Sequence, residues 1–172
     1  MRVLNIIAKI LTFPAAFLKG FWEQRLCKMM GTIVENKKIF QWNEMAGHIE
    51  HEPFNTAGKS FWFCFISGFM VFLTGLIFAV PGVLGCLFLD LPMSVSRLWC
   101  ITMLGGAASF MSNIFPSIED ALMMWEKFKT MKTGAKIILA PAAAIMYVGA
   151  YAETWGITFV TNHVIFALLL FI

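Results

Sequence analysis

A long run of the sequence, residues 61–89, contains no charged side chain and consists mainly of Phe, Leu, Ile, Val and Gly. About twenty apolar residues, each rising about 1.5 Å in a helix, cross the roughly 30 Å hydrocarbon core of a bilayer. The run exceeds that length, and Pro81 with Gly82 offers a helix end, so we expect a membrane-spanning helix over 61–80. A buried helix of a soluble protein is the alternative, but 172 residues are too few to surround such a segment with protein on all sides.

The composition of the whole chain also indicates a membrane protein. The sequence is 59% hydrophobic and only 13% charged, with a mean hydropathy of +0.77, whereas an ordinary soluble domain is about 25% charged. The net charge of +3 is too small to indicate a nucleic-acid partner. The composition therefore indicates the lipid bilayer as a partner.

The four cysteines give no sign of a disulfide framework. Cys64, Cys86 and Cys100 lie in apolar stretches, Cys27 follows the first such stretch, and no Cys-x-x-Cys pair occurs. The spacing therefore predicts neither a set of disulfides nor a zinc ribbon.

The pattern predicts one all-α membrane domain over residues 1–172, a polytopic helical bundle of four clear spans and a partly inserted N-terminal helix. The N-terminal helix, 3–30, is interrupted by Lys9, and a regular helical pattern begins at Pro14 and ends before Gly31. Lys19 and Trp22 stand where a signal peptide needs small residues, so we expect this segment to belong to the mature chain.

The remaining segments alternate between polar and apolar. The polar segment 31–60 contains extended pieces at 32–34 and 39–42, which predict a small β-hairpin around Asn36. In the segment 119–136, Trp125 and Phe128 mark an amphipathic helix at the membrane surface. The spans are 61–80, 98–118, 137–152 and 155–172, and we expect the last two to form a helical hairpin.

The distribution of Lys and Arg predicts the orientation. Segment 23–60 contains five such residues, segment 119–136 contains four, and the connection 90–97 contains one. Because cytoplasmic loops are enriched in Lys and Arg, we expect 23–60 and 119–136 to lie in the cytoplasm.

Three polar clusters are candidates for a site. In the first, Lys19, Gly20 and Glu23 lie within about one helical turn, and Lys19 with Glu23 suits an ordinary surface ion pair. In the second, His48 and His51 alternate with acidic residues, which favours a solvated loop over a metal site because two histidines are a weak signal.

The third cluster includes Asn113 and Asp120, and Asp120 is expected at the cytoplasmic membrane boundary near the first helix. His163 lies inside the last span. An ionisable residue there is a functional candidate by default, although a neutral histidine bonded to a neighbouring helix fits equally well.

In order and spacing, these pieces resemble a family of small bacterial and archaeal membrane proteins described as zincin-like metalloproteases, distantly similar to site-2 intramembrane proteases. The family pattern Pro-Gly-x-x-x-His-Glu-x-x-His-x-x-x-Cys is matched without a gap by residues 14–27, PAAFLKGFWEQRLC. Residues 46–53, AGHIEHEP, resemble the family's Ala-Gly-Tyr-Val-Ile-His-Glu-Pro, and residues 115–121, FPSIEDA, resemble Phe-Pro-Ser-Thr-Gly-Asp-Ala. The resemblance covers nearly the whole chain and implies a bacterial or archaeal plasma-membrane protein.

The chain departs from the family at the residues that carry the chemistry. In His-Glu-x-x-His the two histidines bind zinc and the glutamate activates water, whereas this chain has Lys19, Gly20 and Glu23 there. An ammonium group has no lone pair for zinc, and glycine has no carboxylate. Asn113 also replaces a family histidine. We therefore expect an inactive member without a cofactor, in which Lys19 pairs with Glu23 or Asp120.

The resemblance thus implies a binding or scaffolding protein that keeps the metalloprotease framework, with another membrane protein or a peptide as its partner. One alternative is an active membrane metalloprotease with a non-standard zinc site built from Glu23, His48, His51 and Asp120, which requires these side chains to converge. A second alternative is a transporter or channel component, for which Asn113 and His163 would have to line a path.

Overall fold

The structure, a computed structural model, describes residues 6, 10–36, 48–88 and 93–169. This part of the chain forms six helices and two short strands, so the prediction of a helical fold with a small β pair is confirmed. The elements are α1 Phe13–Met30, β1 Val34–Asn36, β2 Glu50–His51, α2 Ala57–Phe88, α3 Met93–Met111, α4 Ile118–Phe128, α5 Thr133–Thr154 and α6 Ile157–Leu169.

Helix α1 begins and ends at the residues that the sequence indicates. Pro14 lies in its first turn, where its missing N–H costs no hydrogen bond. Gly31 follows the last turn with φ of 72°, a left-handed conformation that glycine adopts without steric penalty. The buried residues of α1 recur every three or four positions and form one face: Ala15, Ala16, Lys19, Gly20, Glu23, Leu26 and Cys27. This face includes the polar candidates.

The two strands are antiparallel and pair Val34 with His51 and Asn36 with Glu50. The predicted turn at Asn36 is wrong, because Asn36 belongs to β1 and pairs with Glu50. The predicted second strand, 39–42, lies outside the described residues. The pairing draws the segment around residues 48–52 back towards the end of α1, where the Glu52 amide also donates to the Ile33 carbonyl at 3.0 Å.

We expected α2 to end before Pro81, but the helix continues to Phe88. Its second half packs closely against the antiparallel helix α3. A Cβ atom added at Gly85 would lie 2.2 Å from Trp99 Nε1, and the Trp99 indole donates to the Pro81 carbonyl at 3.2 Å. These contacts with α3 support the helix beyond the position where proline removes one of its own hydrogen bonds.

A disulfide joins Cys86 of α2 to Cys100 of α3. The expectation that the cysteines form no disulfide is therefore wrong, because antiparallel packing brings together two cysteines that show no motif in the sequence. Cys27 and Cys64 are free and buried.

The expected span 98–118 is interrupted. Helix α3 ends at Met111, and α4 begins only at Ile118, with Ser117 as its N-cap. Pro116 explains part of this break, because the residue before a proline is disfavoured in helical conformation. The amphipathic helix predicted after the span corresponds to α4.

Helices α5 and α6 run in the same general direction and are separated only by Trp155 and Gly156, which differs from the expected hairpin. Glu153 contacts Phe115, close to the level of Gly68 in α2, whereas Leu169 lies beside Cys86. Those two levels are about 27 Å apart along α2, at 1.5 Å per residue. The start of α5 lies near the start of α2, since Lys136 donates to the Lys129 carbonyl and Lys127 donates to the Phe54 carbonyl. An α6 that turned back along α5 could therefore not reach Cys86.

Candidate metal centre

Six ionisable side chains lie buried together near the first half of α2. Each has at most 9% of its surface exposed, and they come from α1, the segment around β2, α4 and α5: Lys19, Glu23, His48, His51, Asp120 and Glu153. Buried charges are costly unless they are paired or bind a metal. The arrangement therefore requires an account of each charge.

Three of these residues present ligand atoms to one small volume. One ligand atom each from Glu23, His48 and Asp120 lie within 4.8 Å of one another. His48 Nδ1 is 3.2 Å from Asp120 Oδ2 and 3.7 Å from Glu23 Oε2. Around a tetrahedral zinc ion with bonds of about 2.0–2.1 Å, neighbouring ligand atoms are separated by roughly 3.3–3.4 Å. The two distances that involve His48 are close to that value.

Helix α1 and the chain before β2 fix the Glu23 carboxylate. Its Oε2 accepts a hydrogen bond from the Ile49 amide at 3.1 Å, whereas its buried Oε1 has no hydrogen-bond partner among the described residues. Glu23 therefore presents a free lone pair inside the protein. The expected surface pair with Lys19 is wrong, because both side chains are completely buried.

The N-cap of α4 fixes the Asp120 carboxylate. The Ser117 hydroxyl donates to Asp120 Oδ2 at 2.9 Å and accepts from the Asp120 amide at 3.2 Å. Burial alone would raise the pKa of Asp120, but His48 and His51 hold that pKa below its usual range. The cap thus presents an ionised carboxylate to both histidines.

His51 has an acceptor beside each ring nitrogen. Nδ1 is 2.8 Å from the Glu52 carbonyl and Nε2 is 3.2 Å from Asp120 Oδ1. Although burial opposes the charged form, Asp120 raises the pKa of His51. The His51 ring is held between Phe54 and Phe63, with centroids 4.8 Å and 4.7 Å away.

The carboxylates beside His48 affect its charge even more strongly. Burial lowers its pKa, but Asp120 and Glu23 outweigh burial and raise the pKa to about 11. The expectation of a solvated histidine loop is thus wrong for His48 and His51. It holds for their acidic neighbours Glu50 and Glu52, which are exposed.

Lys19 pairs with neither of its expected partners. Its Nζ lies 3.6 Å from Glu153 Oε1 and donates to the Phe115 carbonyl. Gly20, which the sequence resemblance compares with a water-activating glutamate, is buried and contributes no side chain. The cluster therefore contains potential metal ligands, but Gly20 offers no carboxylate as a hydrolytic base.

The other two candidates, Asn113 and His163, form their hydrogen bonds outside this cluster. The Asn113 amide donates to the Ser109 carbonyl at 3.1 Å, and His163 Nδ1 is 2.8 Å from the Phe159 carbonyl. Both bonds are with residues four positions earlier. Neither contact supports a shared polar path.

The buried charges balance in two ways. Lys19 offsets Glu153, which leaves the two negative charges of Glu23 and Asp120. In the first arrangement, His48 and His51 are both protonated and compensate these two charges. In the second, both histidines are neutral and one divalent cation compensates them. The second arrangement also provides a partner for the free Glu23 lone pair.

Sequence reasoning named four of the six buried residues as possible metal ligands and Lys19 as their neighbour, but it missed Glu153. The sequence does show Glu153 as an acidic residue between two apolar segments, but such a residue is also typical of a loop that connects two helices. Comparison with protein-family models, curated proteins and solved structures gave no match to this chain.

Proposed function

We propose that this protein is an integral membrane metal-binding protein, similar in plan to the zincin-like metalloproteases, that holds one divalent ion through Glu23, His48 and Asp120. The observation that carries the proposal is the convergence of these three buried ligand atoms within 4.8 Å. Two carboxylates and an imidazole are a donor set that suits zinc. His51 supports Asp120 from the side opposite His48.

The same geometry favours binding over hydrolysis. A metalloprotease needs a base that takes a proton from the attacking water, and Gly20 supplies none. Glu153 is engaged by the Phe115 amide at 3.0 Å and by Lys19. We therefore propose a scaffolding role, in which the metal joins α1, α4 and the segment before β2 and so shapes a surface for a membrane partner or a peptide.

A metalloprotease with this non-standard site is the second candidate. Three protein ligands leave one of four zinc positions for water, as in catalytic sites. A bound zinc ion would lower the pKa of that water. Cleavage of an unstructured peptide by the zinc-loaded protein, lost in Asp120→Asn, would favour this candidate over the scaffold.

Membrane insertion is supported by the two long apolar helices, α2 and α5. Both are long and apolar enough to cross a bilayer, and only 33% and 22% of their most apolar windows are buried. A core helix of a soluble protein is mostly buried. We propose that α2, α3 and the α5–α6 pair cross the bilayer of a bacterial or archaeal cell, that α1 is partly inserted, and that 23–60 and 119–136 face the cytoplasm, as the Lys and Arg distribution favours.

The first test is the zinc content of the detergent-solubilised protein, measured by elemental mass spectrometry. We expect about one zinc per chain, lost in Asp120→Asn and kept in Glu119→Gln, which changes the exposed neighbouring acid. A native protein that stays metal-free after incubation with zinc would refute the proposal.

A further inference from the structure

The break between α3 and α4 lies inside the bundle. A Cβ atom added at Gly68 of α2 would lie 2.1 Å from the Ile114 carbonyl oxygen, and one added at Gly149 of α5 would lie 2.2 Å from the Phe115 ring. The segment 112–117 is thus packed between two helices. Non-helical backbone in such apolar surroundings requires partners from the protein itself.

Lys19 and Glu153 supply those partners to one residue. Glu153 Oε2 accepts from the Phe115 amide at 3.0 Å, and the Lys19 ammonium donates to the Phe115 carbonyl. The two side chains are themselves paired, with 3.6 Å between Nζ and Oε1. One buried ion pair therefore holds both backbone polar groups of Phe115 and connects α1 with α5.

Phe115 is close in sequence to a proposed metal ligand. Two residues later, Ser117 caps α4 and donates to Asp120 Oδ2. A displacement of Phe115 would move the cap and turn the Asp120 carboxylate away from His48. The residue that the ion pair holds, Phe115, is thus only five positions before Asp120 in the same chain segment.

We infer that Lys19 and Glu153 are positioning residues for the metal centre, which hold the segment 112–117 so that Asp120 faces Glu23 and His48. This inference rests on the proposed metal site. It gives Lys19 a role that differs from metal ligation, although Lys19 stands in the place of a family ligand.

Cobalt binding tests the inference, since Co²⁺ suits zinc sites and its visible absorption reports the geometry of its ligands. The main variant is Lys19→Met/Glu153→Gln, which removes both charges together and so avoids an unpaired buried ion. The control is Lys28→Met, which removes an exposed lysine from the same helix. We expect the double variant to bind Co²⁺ on the order of 10-fold to 100-fold more weakly with a shifted absorption band, and the control to match the native protein.

The outcomes are distinguishable. A folded double variant with native affinity and a native spectrum would overturn the positioning role while the metal site stands. A native protein that binds neither Co²⁺ nor Zn²⁺ would remove the metal site and this inference with it. If the double variant does not fold, Lys19→Met alone decides, because it removes the donor to the Phe115 carbonyl, and an unpaired carboxyl group can take up a proton; native affinity and spectrum in that folded variant would overturn the inference.

Discussion

The pH dependence of zinc binding gives a quantitative test of the proposed centre. In the metal-free protein His48 is protonated throughout the neutral range, because Asp120 and Glu23 raise its pKa to about 11. Zinc requires the neutral imidazole, so binding must displace at least one proton. The affinity is therefore expected to rise with pH, and the rise continues up to the pKa of His48.

The number of displaced protons sets the magnitude. One proton gives a tenfold change per pH unit, so the affinity rises about 100-fold between pH 6 and pH 8, equivalent to about 2.7 kcal/mol. If His51 also loses a proton on binding, as the charge balance with a divalent cation favours, the rise is steeper than for one proton.

Competition titrations with a chromophoric zinc chelator at several pH values measure this slope, after correction for the chelator's own protonation. The His163→Gln variant should keep the native slope, since His163 bonds within its own helix. The His48→Gln variant should bind more weakly, with a slope smaller by about one proton. An affinity that does not change between pH 6 and pH 8 would show that His48 does not bind the metal.

Three further predictions concern the metal-free fold. Because folding raises the pKa of His48, this histidine stabilises the fold fully below its unfolded pKa near 6.5, and the contribution is lost as pH rises through about 11. Because folding lowers the pKa of Asp120, this carboxylate stabilises the fold above its unfolded pKa near 3.8, and the contribution is lost in strong acid. Thermal unfolding in detergent should thus show both losses, and a constant midpoint across this range would contradict the pairing. Gly149→Ala should destabilise by about 1–3 kcal/mol through overpacking against Phe115, whereas Gly105→Ala, with nothing within 4 Å of the new atom, should be neutral or stabilise by up to about 1 kcal/mol; equal effects would refute the close approach. Alkylation of the denatured protein should modify Cys86 and Cys100 only after reduction, and modification without a reductant would show that the disulfide is absent.

The sequence predicted what depends on local pattern. The start of α1 at Pro14, its end at Gly31 and the apolar helices follow from spacing and backbone preference. The end of α2 was missed because contacts with α3 outweigh the local effect of Pro81. The sequence named four potential ligands as an alternative set that would have to converge. Their convergence depends on how α1, α4 and β2 pack, which single-sequence spacing does not reveal.

The Lys19–Glu153 pair shows why the departure from His-Glu-x-x-His does not by itself imply a metal-free protein. A motif on one helix counts only the ligands that this helix supplies, whereas a metal takes any donor within reach. Here α1 contributes one carboxylate, and His48 provides an imidazole from another part of the chain, 3.7 Å from that carboxylate. Lys19 lies outside this donor set, because its ammonium pairs with Glu153 and donates to the Phe115 carbonyl. Whether a hydrolytic base is present and whether a metal can bind are therefore separate questions. Gly20 supplies no base, whereas Glu23, His48 and Asp120 still offer three donor atoms within 4.8 Å of one another.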